Sequence, residues 1–205
     1  MSVSNINKKA LFDNVCFLIQ NSLTVCDGWE VASLVLRVQA AEVAFQTLLS
    51  LLGEETDRSW GARANEKGLP STKEIVGKAD EKLHVEIPTI TFEDKPLSLR
   101  KLLYGKFLGE LTWVKCRNYV IHVDLDTLFG RSPEDVAKVD GHINKVMVCT
   151  FTILANLLLI RGEIDGEFAD LWGRRITDAA VAHAKRHGLL EDEEAFAREV
   201  KFFGR

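Results

Sequence analysis

The sequence predicts an all-α fold, a bundle of four main helices with a long, partly irregular insertion at about residues 53–97. Three observations predict it. Apolar residues recur at spacings of three and four along most of the chain instead of alternating. Proline and glycine number only 4 and 14, and three of the prolines fall between residues 70 and 96, which leaves long tracts uninterrupted. Capping residues stand where those tracts begin and end. With 205 residues, 46% hydrophobic and 27% charged, the chain can bury a sizeable core, and we expect a single domain over 1–205. The same composition excludes disordered, collagen-like and low-complexity classes.

The first helix is expected from Asn7 to Cys26, before the Asp27-Gly28 turn signal. The second runs from Trp29 to Leu52, with Val31, Leu34, Val35, Val38, Ala41, Phe45, Leu48, Leu49 and Leu52 on its stripe and Gly53 at the C-cap position. Gly53 to Pro96 reads as an excursion holding a short helix near Thr72 to Leu83 and a β-leaning piece, Val85 to Phe92, broken by Pro88. It reads as a surface decoration, with a substrate-facing flap as the alternative. Ser98 then opens a helix whose stripe, Leu99, Leu103, Phe107, Leu111 and Val114, continues into Asn118 and Ile121. Ser132-Pro133-Glu134-Asp135 supplies an N-cap, a first-turn proline and acidic residues at the positive helix end. A long core helix follows, from Val136 through Val139, Ile143, Val146, Met147, Thr150 and Leu154 to Leu158, and stops near Arg161-Gly162. Helices at about 166–188 and 191–203 close the chain.

Net charge of −4 argues against coating nucleic acid through a global field and leaves room for a local basic site. The longest apolar run, Ile153 to Ile160, is interrupted by Asn156 and is far short of the roughly 20 residues of a membrane span, so no membrane association is expected. The polar start, Met1 to Lys9, lacks an apolar signal core, and a cytoplasmic location follows as the expectation. Cys16, Cys26, Cys116 and Cys149 show no short paired spacing and read as reduced, buried thiols.

The chemistry-bearing segment is Trp113 to His122. Asn118 and His122 stand four apart on one helical face, with Arg117 about 100° around. Polar groups that continue a buried stripe must satisfy one another, a partner or a ligand. Arg117 and His122 are about 140° and about 7.5 Å of rise apart on an ideal helix, so one copy aims them poorly at a single group. A two-fold axis pooling two copies would make a convergent cleft. A histidine can exchange a proton with a ribose hydroxyl while an arginine holds the phosphate, and RNA cleavage needs both roles and no metal.

Arg117-Asn118-x-x-x-His122 resembles the Arg-x(4–6)-His signature of the HEPN superfamily, in which a polar residue, often Asn, follows the Arg. An amphipathic helix leads into the segment, and a short loop and the Ser-Pro-Glu-Asp helix start follow it. The specific part of the likeness covers Ser98 to Leu159. It implies a RiboL-PSP-like or related bacterial HEPN endoribonuclease: a dimeric helical bundle that cuts single-stranded RNA without a cofactor, in toxin–antitoxin or anti-phage systems, with an antitoxin or companion protein as a further partner. The family's catalytic Arg, Asn and His would be Arg117, Asn118 and His122, with Lys115 and Tyr119 as flanking substrate contacts.

Other readings stay open. His122, Asp124 and Asp126, with His142 or His84, have the residue types of a metal site. His183 and His187 stand at i and i+4, and with Arg174, Arg175, Lys185 and Arg186 they suggest a phosphate-contacting surface helix or a plain solvated one. Trp29, Trp60, Trp113 and Trp172 are too scattered to form a base-stacking platform. Arg117 beside Cys116 would lower a thiol pKa, yet no partner base accompanies it. A non-catalytic HEPN-like module that binds a nucleotide or protein would use the same Arg117, Asn118 and His122.

Overall fold

A computed structural model describes residues 7–24, 30–54, 70–88, 91–92, 95–122, 124 and 126–186. The chain is predominantly helical. Its helices are α1 (Lys8–Thr24), α2 (Glu30–Leu51), α3 (Thr72–Glu86), α4 (Leu99–Tyr104), α5 (Trp113–Ile121), α6 (Asp126–Phe129), α7 (Pro133–Ile160) and α8 (Gly166–Arg186). A two-residue antiparallel ribbon, β1 (Thr91–Phe92) on β2 (Lys95–Pro96), pairs Thr91 with Pro96 and Phe92 with Lys95. The expected helix at 191–203, Trp29, Trp60, Cys26 and His187 lie outside the described residues.

The chain divides into two compact units, Met1–Ala44 with Thr150–Arg205, and Phe45–Cys149. In the first unit the pairs between α1 and the α8 region advance together along both. Lys8 bonds Glu163, Phe12 meets Phe168 at 6.2 Å between ring centroids, and Trp172 Nε1 donates to Asp13 at 2.8 Å. Phe151 of α7 stacks on Phe12 at 5.3 Å, and Ser33 of α2 donates to the Ser22 carbonyl of α1 at 2.7 Å. Buried Phe12, Val15, Cys16 and Ile19 recur at three and four, which gives α1 one apolar face. Asn156, the polar break in the apolar run, donates from Nδ2 to the Thr152 carbonyl at 2.9 Å and so stays inside the helix.

In the second unit α3 bears out the short helix expected near Thr72 to Leu83, and it is packed into the core and is no surface decoration. Ile75, Val76, Ala79 and Leu83 are buried at helical spacing, and Ser71 with Glu74 forms a reciprocal capping box at the start. Asp80 reaches α4, accepting from Ser98 Oγ at 2.7 Å and the Leu99 amide at 2.8 Å. Lys82 donates to the Leu52 carbonyl at 2.8 Å and pairs with Glu54, closing the end of α2. The helix runs on to Glu86, so Val85, read as the start of an extended piece, is helical.

The single helix expected over Ser98 to Ile121 is two helices. The chain leaves α4 at Gly105, where an added Cβ would fall 2.3 Å from the Lys101 carbonyl oxygen, and turns through Gly109 at φ 55°. Leu108 and Leu111 form an isolated bridge, and Thr112 caps α5 by accepting from the Lys115 amide. The apolar stripe survives the break because Leu111 is buried in the turn.

The long helix α7 begins as expected, with the Asp135 amide donating to Ser132 Oγ at 3.2 Å and Val139, Ile143, Val146, Leu154 and Leu158 buried. By length and composition, Val31–Leu51 and Pro133–Ile160 are long and apolar enough to cross a bilayer, and 56% and 61% of their apolar windows are buried inside the protein. Counting unbroken apolar runs therefore misses two helices that tolerate isolated polar residues.

Candidate functional site

Helix α5 carries the Arg-Asn-His segment. Trp113, Val114, Cys116 and Val120 are its buried face, and the fully enclosed Trp113 anchors its first turn. That phase leaves Lys115 exposed and Arg117, Asn118 and Tyr119 half-buried at the margin. The helix ends on His122, which adopts φ −88° and ψ 5° and donates its amide to the Asn118 carbonyl at 2.9 Å. Its imidazole is exposed. Continuation of the buried stripe would carry all three polar groups along it. His122 departs from that, because the helix stops at Ile121 and places it beyond the last turn.

Arg117 and Asn118 do meet. Arg117 Nη1 donates to Asn118 Oδ1 at 3.1 Å, so the amide fixes one branch of the guanidinium. No hydrogen bond or ion pair among the described residues joins the His122 imidazole to either side chain. The site therefore consists of a positioned cation and, past the last turn, a solvent-accessible acid–base group at one helix end.

The chain after His122 is fastened by a series of local bonds. The Asp124 amide donates to the Tyr119 carbonyl at 2.9 Å, Thr127 Oγ1 donates to Asp124 Oδ1 at 2.8 Å, and Arg131 Nε donates to the Thr127 carbonyl at 3.0 Å. The Asp124 carboxylate thus serves α6 and does not orient His122.

Burial pushes the Cys116 thiol up to about 11, and the charge of Arg131 draws it partly back. The opposing cation is Arg131, not the adjacent Arg117, and burial prevails, so Cys116 is a structural thiol. His142 lies on α7 with its ring stacked on Phe107 at 3.8 Å and 12°. Burial, with the nearby Lys145 charge, lowers it to about 4. His84 stands 3.8 Å from Asp80 on α3. Among the described residues no group of three or more His, Cys, Asp or Glu side chains is gathered tightly enough to hold a metal ion. On α8 the exposed Arg174, Arg175 and Lys185 alternate with exposed Glu167, Asp170 and Asp178, and Arg175 lies over Trp172 at 5.0 Å.

No family model matches the sequence, and no curated protein or solved structure matches it either. Between Leu97 and Arg131 stand six Lys or Arg and three Asp or Glu, within a protein whose net charge is −4. Lys106 is paired with Glu110.

Proposed function

We propose that the protein is a cytoplasmic, metal-independent endoribonuclease of HEPN type that cleaves single-stranded RNA as a homodimer, in a toxin–antitoxin or anti-phage setting with a companion protein. The observation that carries the reading is the end of α5: Arg117 held by Asn118 at 3.1 Å, with an exposed His122 just past the helix end. The locally basic stretch around it supports a polyanionic substrate.

In this mechanism His122 takes the proton of a ribose 2′-hydroxyl, and the oxygen attacks the adjacent phosphorus. The bond to the 5′-oxygen breaks, leaving a 2′,3′-cyclic phosphate and a 5′-hydroxyl. Arg117 binds the non-bridging oxygens and gains strength as their charge grows, while Asn118 keeps the guanidinium in place. A second copy supplies the other proton-transfer histidine, since one helix presents only one.

The test is incubation of mixed single-stranded RNA with purified protein in EDTA, resolved on a denaturing gel beside folded His122→Ala and Arg117→Ala. Cleavage by wild type with cyclic-phosphate ends, falling about 10²- to 10⁴-fold in His122→Ala, is the expected result. Absence of cleavage by folded wild type overturns the catalytic reading.

A further inference from the structure

We draw no further inference here: the strongest candidate, the side-chain pair of His142 on α7 and Phe107 in the turn before α5, stacked at 3.8 Å, points to an acid-sensitive release of that turn only through the lowered pKa of one histidine, and nothing else among the described residues shows what such a release would act on.

Discussion

Replacing Asp80 by alanine tests the link between α3 and α4 with a magnitude set by its bonds. The carboxylate is largely enclosed, 14% exposed, and accepts from Ser98 Oγ at 2.7 Å and from the amide of the fully buried Leu99 at 2.8 Å. Hydrogen bonds to a charged group contribute roughly 1.5–3 kcal/mol each, and removing the acceptor strands a buried donor. The two together put the loss at about 3 kcal/mol. A helix of six residues cannot stand without such support, so the effect concentrates on α4. Asp80→Asn keeps one carbonyl acceptor without the charge and is expected to cost about half as much. Urea titrations at pH 7 give the global change, and hydrogen exchange of the amides from 99 to 104 gives the local one. A shift below about 0.5 kcal/mol in Asp80→Ala, with exchange in α4 unchanged, would refute the view that this carboxylate fastens the two helices.

Two further outcomes follow from buried titratable groups. His142 is lowered to about 4, so the unfolded chain binds its proton first as pH falls from about 6.5, and folded-state stability drops between there and pH 4. Urea midpoints of His142→Phe should therefore decline less than those of wild type from pH 7 to pH 4.5, and parallel declines would contradict the assignment. The thiols of Cys16, Cys116 and Cys149 are buried, with Cys116 pushed up to about 11. Alkylation at pH 8 should label these three slowly in native protein and rapidly in urea, as read by peptide mass spectrometry.

Much of the helical architecture was legible, and the reasons are local. Ser132-Pro133-Glu134-Asp135 marks the start of α7 because each residue solves a problem of a helix N-terminus, and the stripe from Val139 to Leu158 is buried where periodicity put it. The stripe from Leu99 to Ile121 misled, since apolar spacing reports burial and not backbone continuity. The contrary signals were Gly105, Gly109 and the capping Thr112. The helix expected near Thr72 to Leu83 is present as α3, but its burial was not legible, since a 15-residue helix with four buried apolar residues looks polar on average when Lys and Glu fill its other face. At the site, residue types and helix were readable, whereas the exposure of His122 depends on where α5 stops. No periodicity encodes that point.

The pairing of α1 with α8 sets an order on how the first unit can be made. Phe12 and Asp13 find Phe168 and Trp172 only after more than 150 intervening residues exist. At about 5–20 residues per second, a ribosome holds the apolar face of α1 without its partner for roughly 8–30 s. During that interval Phe12, Val15 and Ile19 are open to any hydrophobic surface, so early synthesis is when a chaperone would matter most. A chain stopped before residue 168 would leave that face permanently uncovered by α8, which makes premature termination a source of aggregation and not merely of lost protein.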